Sequence, residues 1–355
     1  MQIACCGVRS NISYCISPSR SVKKSLQVSG CLYFKIAMLP ILFGICIFVL
    51  VLVYMAITKT TSKYAQIERF PNEYFYSDPL TNKKEKLPSL FDPPTKSLSV
   101  IVPAYNEEAR LPVMLKECLE YLEMRTKSDN AFSFEILIVD DGSSDNTTKV
   151  SLQYSLKYGC DKIRVLTLVK NRGKGGAVRL GVLSSRGRNI LFADADGATC
   201  FPDIEKLESS LKSFQDSLQN GKCESIIICG SRAHLEQEAI ATRSFLRNLL
   251  MHGFHALVWF FAVRTVRDTQ CGFKLFTRKA AQETFPSIHI ERWAFDVELL
   301  FLAEKMNIPI GEVAVKWTEI EGSKVVPVLS WIQMGRDLFL IWLRYTIGAW
   351  APKKK

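Results

Sequence analysis

Apolar positions follow two patterns along this chain: one long uncharged run near the N-terminus, and then short runs separated by polar turns. The long run spans residues 36–57, about 22 positions without a charge, and lies between Lys35 and Lys59. An α-helix needs ~20 apolar residues to cross a bilayer, and a cleaved signal peptide would have a shorter apolar region. The run therefore predicts a retained transmembrane anchor.

Short apolar runs alternate with helix-type segments downstream of the anchor. Strand-type runs cover residues 98–102, 134–139, 163–168 and 226–230, and a further run ends at Ala193. The first of them is expected to end at Pro103. Strands that alternate with helices predict an α/β fold with a parallel sheet, whose loops at the carboxyl edge converge on one crevice.

The pair Asp194 and Asp196 directly follows the strand that ends at Ala193. Because side chains in extended chain alternate with period two, both carboxylates project to the same side at the carboxyl edge of the sheet. Two hard oxygen anions suit Mg²⁺ or Mn²⁺, which takes its remaining ligands from water and phosphates. The pair predicts a metal-bound diphosphate, and the alternative for an isolated match is a solvated turn.

Further motifs give the chain a family resemblance. The ordered motifs of the inverting family 2 glycosyltransferases with a GT-A fold have similar counterparts at residues 102–107, 139–145, 171–177 and 194–197. Three more segments resemble the dolichyl-phosphate β-glucosyltransferases within that family, at residues 268–276, 293–298 and 321–324. The resemblance covers residue 98 to the C-terminus. It implies an α/β, Rossmann-like GT-A domain with a mostly parallel sheet flanked by helices.

The resemblance also implies which residues bind the donor. They are Pro103, Ala104, Tyr105, Glu107, Asp140, Asp141, Lys174, Asp194, Ala195, Asp196 and Ser323. Carboxylates at strand ends can accept hydrogen bonds from ribose hydroxyls and a base N–H, and Lys174 adds a cation where glycines let the backbone approach a phosphate. For Glu107 the alternative is stabilisation of a first helical turn. The metal ligands are Asp194 and Asp196, and Ala198 stands where many relatives have a Gln, which leaves a third ligand open.

The catalytic residues that the resemblance implies are Arg232, Arg243, Asp268 and Lys324. Arg232 and either Arg243 or Arg247 resemble phosphate-clamping arginines, although an interfacial cation is the alternative for the latter two. Ser323 and Lys324 resemble a mobile loop that closes on the donor. Asp268 is the usual base in this fold. A phosphate acceptor is already an anion near neutral pH, its second pKa being ~6, and Asp268 would then orient the sugar or the arginines.

The implied function is transfer of glucose from UDP-glucose to dolichyl phosphate with inversion. The product, dolichyl β-D-glucosyl phosphate, is the lipid-linked glucose donor for N-glycan precursor assembly. One alternative is the mannosyl counterpart that uses GDP-mannose, because it has the first four motifs in common. Another is a membrane-tethered nucleotide-sugar binder without catalysis, although both carboxylates of the acidic pair are present.

Composition bears on partners and location. The net charge is +11, but no nucleic-acid recognition module occurs, so endoplasmic reticulum membrane lipids and phosphate-bearing substrates explain the basic excess. Eleven cysteines without a Cys-x-x-Cys pair indicate free thiols, and a glycan on the Asn146 sequon would obstruct the donor crevice. Both features predict a catalytic domain that faces the cytosol on a single-pass membrane protein, whereas the charges flanking the anchor slightly favour the opposite orientation.

These patterns divide the chain into five segments. We expect a flexible N-terminal tail over 1–35, the anchor over 36–57, a linker over 58–95, the GT-A domain over 96–326, and an interfacial amphipathic helix with a basic tail over 327–355. For the last segment the alternative is a helix buried in the core.

Overall fold

The computed structural model describes residues 20–217, 224–234, 253, 257–261, 263–320 and 327–353. The chain divides into two units, Met1–Thr60 and Thr61–Lys355. The first unit contains helix α1, Arg20–Thr60, whose segment Phe43–Thr60 has a mean hydropathy of 2.1 and no buried residue. It is the one described helix that is long and apolar enough to span a membrane. Helix α1 begins 16 residues before residue 36, so part of the expected flexible tail is helical.

The second unit is built on a seven-stranded sheet with the order β5-β4-β3-β6-β8-β7-β9. Its strands are β3 Lys96–Ala104, β4 Phe134–Asp140, β5 Ile163–Thr167, β6 Gly187–Ala193, β7 Ile227–Ser231, β8 Phe273–Thr277 and β9 Ile310–Ala314. A separate antiparallel pair consists of β1 Phe75–Ser77 and β2 Lys84–Lys86. Strand β8 is antiparallel to both β6 and β7, and the other paired neighbours are parallel. The predicted mostly parallel α/β sheet is confirmed.

Helices cover both faces of the sheet. They are α2 Leu111–Ser128, α3 Thr147–Tyr158, α4 Lys174–Leu183, α5 Ile204–Ser217, α6 Arg278–Thr284, α7 Phe295–Lys305 and α8 Pro327–Thr346. The alternation along β3 separates two hydrophobic clusters: Ile101 packs in the cluster with α4 and α7, whereas Val100 and Val102 pack in the cluster with α2 and α5. A strand buried on both faces reads as a continuous apolar run, as the sequence of β3 does.

The register of β8 determines what lies next to the acidic pair. Ala193, the last residue of β6, is paired with Phe273, the first residue of β8. The residue after β6 therefore meets the residue before β8, and the Asp194 amide donates to the Gly272 carbonyl at 3.0 Å. The antiparallel strand thus brings the segment 268–272 beside the carboxyl edge of β3, β4 and β6.

The expectation that β3 ends at Pro103 was wrong. The strand runs to Ala104, and Pro103 is in register with Val139 of β4. Pairing of β3 with β6 stops at Ile101, so Pro103 lies where the strand has a neighbour on one side only. A proline, which cannot donate to a ladder, is tolerated at such an edge position.

The expected linker over 58–95 differs from what the structure contains. From Thr61 onward this segment belongs to the second unit, and Ala65, Glu73, Leu87 and Leu90 are buried in it. A short 3₁₀ helix, Pro71–Tyr74, carries the buried Glu73. The Pro-containing composition that suggested a spacer instead belongs to a segment that packs on the folded domain.

Helix α8, expected at the membrane interface, has two different faces. Met334, Leu338, Ile341 and Tyr345 are buried at helical spacing and join the core cluster. Ile332 and Phe339 are exposed, 65% and 45% respectively. The helix therefore packs on the core along one side and exposes Ile332, Arg336 and Phe339 along the other.

Candidate active site

A cavity of about 520 Å³ lies at the carboxyl edge of β3, β4 and β6, where the sequence predicted a crevice. Most of the predicted donor residues that the structure describes lie on its wall, as do several that were not predicted. Its lining includes Pro103, Ala104, Tyr105, Glu107, Arg110, Asp141, Lys174, Asp194, Ala195, Asp196, Arg232, Asp296 and Trp317.

The acidic pair, Asp194 and Asp196, lines this cavity. Lys174, the first residue of α4, places Nζ 2.8 Å from Asp194 Oδ1. The Ala198 amide donates to Asp196 Oδ1 at 3.0 Å, closing a turn around the second carboxylate. A Cβ at Gly272 would lie 1.9 Å from Asp194 Oδ2, so only glycine leaves room for Asp194 in this position.

The donor set of the acidic pair suits a divalent cation. Asp194 and Asp196 offer hard carboxylate oxygens that face the cavity and are partly exposed. Across the described ranges, no group of three His, Cys, Asp or Glu side chains is arranged to hold a metal. A cation held here would take most of its ligands from phosphate and water, the usual coordination of Mg²⁺.

The predicted ribose and base contacts divide between the cavity and the interior. Asp141 lines the cavity, whereas Asp140 is fully buried and accepts a hydrogen bond at 2.9 Å from the Ser143 amide and another from the Thr148 hydroxyl. Of the two carboxylates, the structure brings Asp141 to the cavity. Asp140 instead fixes the turn that leads into α3.

Asp141 holds the loop between β5 and α4. Its Oδ1 accepts from the Arg172 amide and its Oδ2 from the Gly173 amide, both at 2.8 Å. Burial raises the pKa of Asp141 to about 6 and the charge of Asp140 adds to the increase, although the two amide hydrogen bonds oppose it. Asp141 thus shapes the wall from which Lys174 extends.

Glu107 forms a cavity-facing ion pair with Arg110. Arg110 Nε lies 2.7 Å from Glu107 Oε2, and the Glu107 amide donates to Thr147 Oγ1 at 2.8 Å. Burial alone would lower the pKa of Arg110, but the contact with Glu107 and the charges of Asp196 and Asp194 raise it. A permanent cation therefore accompanies the predicted donor carboxylate.

Asp268 is bound to Arg232, whose side chain lines the cavity. The two side chains form a bidentate pair, with Nε–Oδ2 at 2.8 Å and Nη2–Oδ1 at 2.9 Å, and the Arg232 amide donates to the same carboxylate at 2.9 Å. Burial would raise the pKa of Asp268, but the hydrogen bonds and charge of Arg232 outweigh it and lower that pKa. The Arg232 guanidinium also lies 5.3 Å from the centre of the Trp317 ring. Asp268 is therefore an anion, and both of its carboxylate oxygens bind Arg232.

Comparison with known proteins gives the family. The family model described as glycosyl transferase family 2 matches residues 99–285. A dolichyl-phosphate beta-glucosyltransferase from Homo sapiens is 60% identical over 301 residues, which cover 85% of this chain and 91% of that protein. Its namesake from Saccharomyces cerevisiae is 41% identical over 300 residues, covering 82% and 86% respectively. The chain belongs to the dolichyl-phosphate β-glucosyltransferases of glycosyl transferase family 2.

Solved structures were compared as well. Glucosyl-3-phosphoglycerate synthase from Mycobacterium tuberculosis in complex with UDP is similar with a TM-score of 0.46 at 15% identity, covering 73% of this chain and 82% of that one. The same enzyme with Mn²⁺, UDP-glucose and phosphoglyceric acid has a TM-score of 0.43 at 16% identity, covering 73% and 82%.

Several residues of this family member reach the cavity without having been predicted to act there. Arg110, Arg292, Asp296 and Trp317 line it, and Asp296 forms an ion pair with the fully buried Lys274, 2.7 Å away. The spacing of Glu107 and Arg110, three residues apart at a helix start, was the available signal for the first ion pair. Arg292 and Trp317 carry no such signal in the sequence. Four predicted residues, Arg243, Arg247, Ser323 and Lys324, lie outside the described ranges.

Proposed function

We propose that this chain transfers glucose from UDP-glucose to dolichyl phosphate, with inversion at the anomeric carbon, giving dolichyl β-D-glucosyl phosphate for N-glycan precursor assembly. One observation carries the proposal. One cavity, in a chain 60% identical to a dolichyl-phosphate beta-glucosyltransferase, is lined both by the acidic pair Asp194 and Asp196 and by Arg232, which Asp268 holds. Relatives of 41–60% identity carry the glucosyl name, which favours glucose over mannose.

On the donor side, Asp194 and Asp196 would hold Mg²⁺ or Mn²⁺. A bound divalent cation neutralises diphosphate charge and stabilises the departing UDP. Lys174 adds a second positive charge from the start of α4, where the helix N-terminus also favours anions. Tyr105 and Asp141 line the part of the cavity assigned to the nucleoside.

The transfer step needs no protein base. A phosphate oxygen of the acceptor attacks glucose C1 from the face opposite UDP, a C1–O bond forms, and the C1–O bond to UDP breaks with its electron pair leaving on the β-phosphate. The acceptor phosphate is ionised near neutral pH, since its second pKa is ~6. Arg232 attracts this anion, and Asp268 holds the guanidinium in place rather than removing a proton.

The lipid part of the acceptor would approach along the exposed side of α8. Met334 of that helix lines the cavity, and its Sδ lies 3.2 Å from Gln270 Nε2. The exposed rings of Trp259, Phe260 and Phe339 lie on the same part of the domain, joined by Phe261, whose ring centre is 6.0 Å from that of Phe339. Exposed aromatic rings beside a helix that also lines the cavity suit a substrate with a charged head and a hydrocarbon tail.

We place the domain on the cytosolic side of the endoplasmic reticulum membrane. Five cysteines of the second unit, Cys118, Cys160, Cys200, Cys229 and Cys271, are free thiols, as a reducing compartment would keep them. Asn146 is exposed at the start of α3, and its side chain donates to Glu108 at 2.9 Å. The Thr148 hydroxyl of the same sequon donates to the buried Asp140, so the sequon is already engaged in the fold.

The test is transfer by the purified full-length chain in detergent. We would supply labelled UDP-glucose or GDP-mannose, with dolichyl phosphate or dolichol as acceptor, with Mn²⁺ or with chelator. The proposal predicts labelled lipid only from UDP-glucose with dolichyl phosphate and metal, and none from the Asp194→Asn variant. Mannose transfer at a comparable rate, or UDP-glucose binding without transfer, would contradict it.

A further inference from the structure

A buried carboxylate from the segment after α1 contacts the loop that forms one side of the cavity. Glu73 has no exposed surface. Its Oε1 accepts from the Val169 amide at 2.9 Å, and its Oε2 accepts from the Phe70 amide at 2.9 Å and from Arg172 Nη2 at 3.1 Å. Residues 68–74, here called the strap, therefore bind both ends of the loop 169–173, about 100 positions further along the chain.

Arg172 is the partner that makes this contact specific. Its side chain is 1% exposed, and it lies against the strap on three sides. Nη1 donates to the Glu68 carbonyl at 2.5 Å, Nη2 donates to Glu73, and the guanidinium lies 5.5 Å from the centre of the Phe70 ring. A buried guanidinium needs such compensation, because removing one partner of a buried pair leaves an uncompensated charge.

The backbone of Arg172 connects the strap contact to the cavity. The Arg172 amide donates to Asp141, and Asp141 and the loop residues Asn171 and Gly173 line the cavity. Lys174, which follows directly, reaches Asp194 at 2.8 Å. One continuous set of contacts therefore joins Glu73, Arg172, Asp141 and the start of α4.

The loop 169–173 is confined on the side that faces away from the strap as well. Gly173 has a φ of +91°, and a Cβ there would lie 2.9 Å from the Glu291 carbonyl oxygen. The loop is thus pressed against residues 291–292 on one side and held by the strap on the other. Loss of the strap contact would free the side that sets the position of Lys174.

We propose that Glu73 is a positioning residue for the donor: through Arg172 it holds the loop 169–173, and with it Lys174, in the geometry that binds the diphosphate of the sugar nucleotide. The inference rests on the proposed function, since it assigns the loop to that donor. It predicts that the strap affects donor affinity selectively. Neither the chemical step nor the acceptor site touches the strap, so both should be left nearly intact.

The experiment compares steady-state kinetics of full-length variants in detergent. Glu73→Gln keeps the shape of the side chain but removes the charge that pairs with Arg172, and Glu73→Ala removes the contact entirely. Glu120→Gln is the matched control, because its side chain is 69% exposed on α2, pairs with the exposed Lys116 at 4.0 Å and lies outside both the strap and the cavity lining. Far-ultraviolet circular dichroism and urea unfolding check that each variant is folded.

We expect the KM for UDP-glucose to rise about tenfold in Glu73→Gln and further in Glu73→Ala, with kcat and the KM for dolichyl phosphate within about twofold. The Glu120→Gln control should stay within about twofold of wild type in all three parameters. Glu73→Gln combined with Arg172→Gln should raise the donor KM no further than the more affected single variant. Should Glu73→Ala fail to fold, the isosteric Glu73→Gln decides.

An unchanged donor KM in folded Glu73→Gln would overturn the inference, and so would an equal rise of both KM values or additive effects in the double variant. The proposed function is tested separately by the wild type. If wild type transfers no glucose, that function fails. The affinity of each variant for UDP with Mn²⁺, measured by calorimetry, then still decides whether Glu73 positions the loop.

Discussion

Two buried carboxylates near the cavity, one that holds the loop before α4 and one bound to Arg232, have pKa values that are shifted in opposite directions. Asp141, between parallel strands, is held by two backbone amides, and burial raises its pKa to about 6. Asp268, beside antiparallel β8, is equally buried, but the bidentate contact with Arg232 lowers its pKa. The difference arises from the countercharge, because amide dipoles compensate desolvation only in part and a guanidinium compensates it fully.

The comparison indicates what each carboxylate provides to the cavity. Asp141 fixes the course of a loop, and its pKa of about 6 lies close to neutral pH. Asp268 fixes a cation, and the contact with Arg232 holds its pKa below the ordinary value, so it is an anion at neutral pH. Asp141 therefore contributes backbone geometry to the cavity wall, whereas Asp268 contributes the position of the Arg232 guanidinium.

The largest expected effect is at Gly272, which lies directly against Asp194. Gly272→Ala would place a methyl group 1.9 Å from Asp194 Oδ2, so the carboxylate must move away from its position. A displacement of about 1 Å in a catalytic arrangement can cost about 100-fold in rate, and we expect a loss of at least that size in kcat/KM. Gly335→Ala is the matched control, because nothing lies within 4 Å of a Cβ there, and its activity should stay within about twofold. Equal activity of the two variants would show that Asp194 is not held by this contact.

A smaller effect is expected for the charge pair. Arg232→Lys keeps a cation but loses the bidentate geometry that binds Asp268. We expect kcat/KM for dolichyl phosphate to fall about 10- to 100-fold, because a positioned guanidinium and a mobile ammonium are not equivalent. Arg125→Lys is the control: that residue pairs with Glu208 at 2.7 Å, away from the cavity, and should cost less than about twofold. An effect confined to the KM for UDP-glucose would show that Arg232 acts on the donor and not on the acceptor phosphate.

How far the sequence predicts this molecule differs between its parts. The strand runs, the acidic pair and Lys174 follow from local patterns, since each depends on neighbours along the chain. The antiparallel insertion of β8 between β6 and β7 does not, because strand order is fixed by packing of distant segments. For the same reason no pattern places Gly272 against Asp194.

The strap shows the same limit more clearly. Glu73 and Arg172 are 99 positions apart, and neither lies in a motif that specifies a buried pair. The proline-containing composition of this segment therefore predicted a spacer. Asp140 and Asp141 were equivalent in sequence, and only the fold separates the residue in the turn from the one in the cavity.

The smallest effect concerns stability and pH. The folded-state pKa of Asp141, about 6, lies above the ordinary value of 3.8, so the folded protein binds this proton more tightly than the unfolded chain. Its contribution to stability is complete below about pH 4 and is lost as pH rises through 6. We expect wild type to lose on the order of 2 kcal/mol more than Asp141→Asn between pH 4 and 7. Urea unfolding of both proteins across that range measures the difference, and parallel curves would contradict the assignment.

The central claim is that the acceptor is a phosphate anion and that Asp268 is not a base, and the dependence of kcat on pH tests it most directly. Wild type and Asp268→Asn would be measured at saturating UDP-glucose and dolichyl phosphate, after viscosity controls establish that chemistry limits the rate. The account predicts that kcat rises through pH ~6, as the second phosphate proton leaves, and stays flat toward pH 8. The profile should keep this shape in Asp268→Asn, although the rate falls because Arg232 is less well held. A titrating basic group in wild type that disappears in Asp268→Asn would contradict the account and indicate a hydroxyl acceptor.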